Sequence, residues 1–157
     1  LFFHLMAAAE RREWKVFLLG ASPESNQGAC ARLRARHPGL RIVGHRDGYF
    51  EDDEEMVEEI NRSGAQLLFV AMGSPRQEQW ILAHRERIQA SYMMGIGGSL
   101  DVTSGRVKWA PRFFRRTGTE WLYRLIRQPG RLGRQLALPK FLFLVLHARF
   151  FCRGDKP

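Results

Sequence analysis

Residues 67–80 read Leu-Leu-Phe-Val-Ala-Met-Gly-Ser-Pro-Arg-Gln-Glu-Gln-Trp, and the stretch changes character halfway. Leu67 to Ala71 is unbroken apolar sequence, which suits a strand buried on both faces. Gly73, Ser74 and Pro75 then predict a tight turn that opens a helix with Pro75 near its first position. A strand-to-helix corner of this kind is where parallel α/β sheets hold ligands. The N–H groups of the first helical turn lack intrahelical partners, and the crevice lies beyond the carboxyl ends of the strands. Gln77 and Glu78 are predicted on that first turn, facing the crevice. A Gly-Ser-Pro turn by itself specifies only a helix start, so its neighbours decide the reading.

The same pattern repeats outward in both directions. Val16 to Leu19 is a short buried strand, Gly20-Ala21-Ser22-Pro23 a turn, and Glu24 to His37 a helix stopped by Pro38-Gly39. Arg41 to Gly44 is a second strand, followed by the loop Arg46-Asp47-Gly48-Tyr49-Phe50 and an acidic helix from about Glu51 to Ser63, ended by Gly64. Acidic residues crowding its first turn complement the helix dipole, which accounts for them better than metal binding does. Tyr92 to Ile96 is a fourth strand, leading into Gly97-Gly98-Ser99-Leu100-Asp101. Strand and helix alternate throughout, which predicts an α/β fold: a Rossmann-like parallel sheet with helices on both faces. Gly20, Gly73 and Gly97 should then line one rim, where glycine lets the backbone approach a phosphate or sugar closely. Neither a Gly-x-Gly-x-x-Gly fingerprint nor a P-loop is present, which argues against NAD and ATP and leaves a nucleotide-sugar-like ligand.

Leu1 to Met6, followed by three alanines, reads as part of a helix entered in mid-stride, without the charged region or cleavage site of a signal peptide. A missing upstream segment is the expectation. With 157 residues and 45% hydrophobic content, the chain can bury one ordinary core. Its net charge of +9 is unevenly spread: residues 1–78 carry 10 Lys+Arg against 12 Asp+Glu, residues 79–157 carry 15 against 4. A basic second half points to an anionic partner. Cys30 and Cys152 make no metal spacing and no disulfide framework, which suits a reducing compartment, and the five histidines are too scattered to read as ligands.

Beyond Gly105 arginines alternate with aromatic and aliphatic residues. Arg124, Arg131 and Arg134 share roughly one helical face, although Pro129-Gly130 divides it, and arginine forks suit diphosphate oxygens. Phe141 to Leu146 is apolar but far short of the ~20 residues of a spanning helix. The sequence therefore divides into an α/β part, residues 1–110, and a basic amphipathic appendage, residues 111–157, expected to lie on an anionic membrane surface. A basic, aromatic tail also suits single-stranded nucleic acid, but the run at 141–146 suits lipid better, so no nucleic-acid partner is expected.

Several motifs, in order and spacing, resemble the WecG/TagA/CpsF family of bacterial glycosyltransferases. They are Val16-Phe-Leu-Leu-Gly20, Pro38-Gly-Leu-Arg-Ile-Val-Gly44, Gly48-Tyr-Phe50, Gly73-Ser-Pro-Arg-Gln-Glu78 with Trp80, Gly95-Ile-Gly-Gly-Ser-Leu-Asp101 with Gly105, and Glu120-Trp-Leu-Tyr-Arg124 with Pro129 and Arg131. The resemblance implies an inverting, metal-independent transfer from a UDP-sugar, typically UDP-N-acetylmannosamine, with no cofactor. The implied acceptor is a polyprenyl-diphosphate-linked sugar at the cytoplasmic face of the bacterial membrane, in teichoic acid or other surface polysaccharide synthesis. The substrate-binding residues on this reading are Gly20, Ser22, Tyr49, Gly73, Pro75, Gln77, Glu78, Gly97 and Asp101, joined by Arg124, Arg131 and Arg134 of the appendage. Gln77 matches the family's substrate-site glutamine. The family's catalytic Asp lies in an upstream half with no counterpart here, and neither Asp101 nor Glu78 matches it. Asp101 is instead expected to cap nearby backbone amides. This chain alone is accordingly expected to bind UDP weakly and to transfer no sugar. A homo-oligomer, or a non-catalytic nucleotide- or membrane-binding fragment of the same fold, stays open.

Overall fold

The computed structural model describes residues 1–107. The elements follow in the order α1 (Phe2–Arg11), β1 (Lys15–Gly20), α2 (Pro23–Arg36), β2 (Arg41–Arg46), α3 (Asp53–Arg62), β3 (Leu67–Ala71), α4 (Arg76–His84), β4 (Tyr92–Gly95) and α5 (Ser99–Thr103). The four strands are parallel and ordered β2-β1-β3-β4. Position in that order explains composition. The inner strands β1 and β3 are buried at every residue but Lys15, so they read as continuous apolar runs, whereas the edge strands β2 and β4 are only half-buried.

Successive side chains of a strand point to opposite faces, and the core divides accordingly. Val16 and Leu18 of β1 join Phe69 of β3, Phe2 and Met6 of α1, Leu33 of α2 and Leu100 of α5 on one face. Phe17 and Leu19 join Leu68 and Val70, Met56 and Ile60 of α3, and Trp80 of α4 on the other. Helices thus cover both faces, as the alternation predicted. Each fully buried Leu, Val, Met or Phe contributes about 1.5–3 kcal/mol relative to leaving it exposed, so neither helical layer is dispensable.

Local chemistry sets the element boundaries. The Ser22 hydroxyl accepts from the Ser25 N–H at 3.2 Å and Pro23 takes the first helical position, where its missing N–H costs nothing; α2 therefore starts just before Glu24. Asp52 caps α3 by accepting from the Glu54 and Glu55 N–H groups at 2.8 and 3.2 Å, which moves its start past Glu51. β2 runs beyond Gly44 to Arg46 because its pairing with β1 continues to Leu19, after a register shift at Val16/Phe17. The Phe17 ring occupies the space a Cβ on Gly44 would need.

Parallel strands bring all four carboxyl ends to one rim. The chain leaves β1 through α2 toward β2 on one side and leaves β3 through α4 toward β4 on the other, while β1 and β3 are neighbours. Right-handed crossovers then place α2 on one face and α3 and α4 on the opposite face. The place where the connections diverge, between β1 and β3, is the switch point beyond which such sheets open a crevice.

Candidate functional site

The β1 corner is built backbone against backbone. Gly20 has φ +109°, and a Cβ there would stand 2.5 Å from the Ala71 carbonyl oxygen, so only glycine fits. Ala21 follows with φ +62°; its N–H donates to Ala71 O at 2.8 Å, and its own carbonyl accepts from the Gly48 N–H at 2.9 Å. Gly48 thereby draws the loop after β2 against the corner. The next residue, Tyr49, is 73% exposed, with its N–H held by Asp47 Oδ1 at 2.9 Å, while Phe50 turns inward to meet Trp80 edge-on at 6.0 Å. An aromatic ring therefore stands free on the rim. The Ser22 hydroxyl is committed to the helix start, and it also donates to Glu24 Oε2 at 2.8 Å. That bond, with the Arg106 guanidinium 3.0 Å from the same oxygen, holds the Glu24 carboxyl below the usual carboxylate range.

The β3 and β4 corners meet through Gln77. Gly73 has φ +77°. Pro75, expected near the first helical position, stands one step earlier as the N-cap, because its backbone (φ −90°, ψ 2°) turns helical only at Arg76. Gln77 was expected to aim its amide at the crevice and is buried instead. Its Oε1 accepts from the Gly97 N–H at 2.9 Å, and its Nε2 donates to Glu78 Oε1 at 2.7 Å. The reason is helical spacing: Gln77, Trp80 and His84 form the inward face of α4. The Gln77 side chain also fills the space over Gly95, where a Cβ would lie 2.5 Å from Nε2. It is a clamp joining α4 to the β4 corner. Gly97 has φ +51° with no atom within 4 Å of a Cβ position, so backbone conformation and not space requires glycine. Glu78 is exposed beside it.

Asp101 departs from its expected role as a cap. The α5 N-terminus begins at Gly98 without a side-chain cap, and it is the main-chain carbonyl of Asp101 that accepts, from Ser104 Oγ at 2.8 Å and from the Val107 N–H at 3.2 Å. Among the described residues, its half-buried carboxylate has no hydrogen-bond partner. The topology brings Gly20, Ser22, Tyr49, Gly73, Pro75, Gln77, Glu78, Gly97 and Asp101 to the strand-end side of the sheet. Arg124, Arg131 and Arg134, with the rest of the appendage, lie outside the described residues.

Sequence reasoning missed Asn26, one of the most buried polar residues. Its Nδ2 donates to the carbonyls of Leu18 (3.2 Å), Gly20 (2.9 Å) and Arg46 (2.8 Å), and its Oδ1 lies 2.9 Å from His45 Nδ1. The available signal was a polar residue in the inward stripe of α2, with Ala29, Cys30 and Leu33. Burial, with Arg34 nearby, holds the His45 pKa below its ordinary value. At the start of α3, Asp53 accepts from Trp80 Nε1 at 2.7 Å and lies 3.4 Å from His84 Nε2, tying α3 to α4. Among the described residues, no three His, Cys, Asp or Glu side chains are grouped to hold a metal ion, and no helix is long and apolar enough to cross a membrane.

Comparison with known proteins covers nearly the whole sequence. The Glycosyl transferase WecG/TagA/CpsF family matches residues 1–154. The N-acetylglucosaminyldiphosphoundecaprenol N-acetyl-beta-D-mannosaminyltransferase of Bacillus subtilis (strain 168) is 36% identical over 146 residues, which are 93% of this chain and 57% of that protein. The proteins of the same name from Bacillus spizizenii and Staphylococcus aureus (strain MRSA252) are each 39% identical, over 93% and 86% of this chain and 57% and 53% of their own lengths. The chain thus spans just over half the length of these relatives.

Proposed function

This chain belongs to the WecG/TagA/CpsF family of glycosyl transferases, and on that footing we propose that its strand-end rim holds the UDP moiety of a UDP-sugar donor. The sugar is N-acetylmannosamine and the acceptor a polyprenyl-diphosphate-linked N-acetylglucosamine, as in the names of the relatives. The product belongs to teichoic acid or another cell-surface polysaccharide. The observation that carries the reading is the convergence of the glycine corners at Gly20, Gly73 and Gly97 with the free Tyr49 ring, beside the β1/β3 switch point. Tyr49 suits a base stacked on its face. The carboxylate of Asp101, without a described partner, suits the ribose hydroxyls. Backbone amides at the corners suit the diphosphate, whose growing charge must be stabilised as UDP leaves.

The acceptor hydroxyl must lose its proton as it attacks the anomeric carbon. Glu78 and Asp101 are not assigned that step; the base belongs to the part of the relatives' length that this chain does not span. On this reading the transfer is an inverting displacement with no metal assigned to it, which the beta linkage in the relatives' names supports if the donor sugar is α-linked. Arg124, Arg131 and Arg134 of the basic appendage neutralise the diphosphate, and residues from Arg112 onward hold the protein peripherally on the anionic inner face of the cell membrane.

Calorimetric titration of UDP into the 157-residue chain tests this reading. Base–aromatic stacking contributes about 1–3 kcal/mol, so Tyr49→Ala should weaken UDP roughly 5- to 150-fold. No binding by the unsubstituted chain, or equal binding by the variant, refutes it.

A further inference from the structure

We propose that Asn26 and His45 form a positioning pair that fixes the β1 corner and the loop after β2, setting nucleotide affinity without touching the nucleotide. The inference rests on the reading of the rim as the UDP site. Asn26 is 1% exposed and cannot reach a ligand. Its bonds instead run to the backbone at two neighbouring strand ends: Leu18 and Gly20 at the end of β1, and Arg46 at the end of β2.

Those contacts determine the chemistry of the pair. Three carbonyl oxygens around one terminal group require that group to be the amide NH2, so the oxygen of Asn26 must face His45. An oxygen only accepts, and His45 Nδ1 at 2.9 Å must therefore carry the proton. The other neighbour of that oxygen is the weakly donating Cys30 thiol, 3.9 Å away. His45 thus holds the oxygen side of the amide while the three carbonyls hold its NH2 side. Were it to turn, the three carbonyls would face an oxygen and lose their donor.

The corner needs such a hold. Gly20 and Ala21 both have positive φ, and for alanine that conformation is unfavourable by roughly 1–2 kcal/mol. The grip of Asn26 on Gly20 O, together with the Ala21 N–H to Ala71 O bond, keeps the two residues there. The bond to Arg46 O fastens the strand end from which the Tyr49 loop departs. Releasing the pair should loosen the β1 corner and the Tyr49 loop relative to each other.

Asn26→Ala would remove four bonds at once and tests folding more than positioning, so His45 is the residue to vary. The full 157-residue chain and its His45→Leu and His45→Asn variants are titrated with UDP at pH 7.5, well below their melting temperatures. Leucine removes the donor, and the dissociation constant should rise about 5- to 20-fold, the equivalent of one buried hydrogen bond. Asparagine can place an N–H close to the Nδ1 position and should restore affinity to within about twofold. A merely structural role would lower the melting temperature of His45→Leu and leave its UDP affinity unchanged, and that result overturns the proposal. Weakened binding that asparagine fails to restore overturns it as well. If the unsubstituted chain binds no UDP, the reading of the rim fails and the inference goes with it. Nitrogen NMR of the His45 ring is independent of UDP: a proton on Nδ1 supports the pair, and a proton on Nε2 alone refutes it.

Discussion

The clamp at the β4 corner makes a quantitative prediction about Gly95→Ala. In an ordinary strand this change is favourable by about 0.5–1 kcal/mol, because alanine loses less backbone freedom than glycine. Here the new Cβ would lie 2.5 Å from Gln77 Nε2, 2.8 Å from Cδ and 3.1 Å from Cγ. Gln77 is the flexible partner and must give way. Doing so breaks its bond from the Gly97 N–H and leaves a buried amide side chain short of partners, at a cost of about 1–3 kcal/mol after the strand gain. Gln77→Ala removes the same bond and should cost a similar amount. The double variant Gln77→Ala/Gly95→Ala loses that bond only once, and the new methyl group takes space that the Gln77 side chain has left. Its destabilisation should fall short of the sum of the single variants by at least about 1 kcal/mol. Urea unfolding of the four proteins at 25 °C, with the slopes compared, provides the cycle. Additivity to within about 0.5 kcal/mol would show that Gln77 and Gly95 do not share the interaction described.

Three further predictions concern other parts of the chain. His45 has a folded pKa below its unfolded value of about 6.5, so the unfolded chain binds more protons in that window. Stability should therefore fall as the pH drops from about 6.5, and be unaffected by this group above it. Thermal melts between pH 7 and 5 should show a shallower decline for His45→Asn, and an identical decline refutes the assignment. Burial pushes the Cys30 thiol up to about 11, so peptide mapping after iodoacetamide treatment at pH 7.5 should find Cys30 unmodified in folded protein and alkylated in urea. Labelling of the folded protein at the rate of a free thiol would contradict the packing of α2 on the sheet. Deleting everything after Pro129 should release the protein from anionic liposomes, since each basic residue near such a surface contributes about 1 kcal/mol. Undiminished sedimentation of the shortened chain removes the tail as the anchor.

Much of this fold is written in local sequence. The apolar run Leu67–Ala71 suits a strand covered on both faces, the acids after Asp52 mark a helix start, and Gly20, Gly73 and Gly97 mark strand exits. Each depends on steric and dipolar preferences of a few adjacent residues, and so survives without knowledge of the rest of the chain. The parallel arrangement followed from the alternation of strand and helix, and the family from the spacing of its motifs. The occupation of polar side chains could not be read in this way. Gln77 shows the limit: helical spacing placed it on the first turn, but its rotation toward Gly97 depends on β4 lying beside β3. Asn26 shows it more sharply. Asn26 lies on α2, its partner His45 on β2 and its carbonyl acceptors on β1 and β2, so its role exists only once β2 and β1 are paired in register. A buried amide must satisfy its hydrogen bonds wherever partners stand, and where they stand is decided by strand order and register, which no short segment contains.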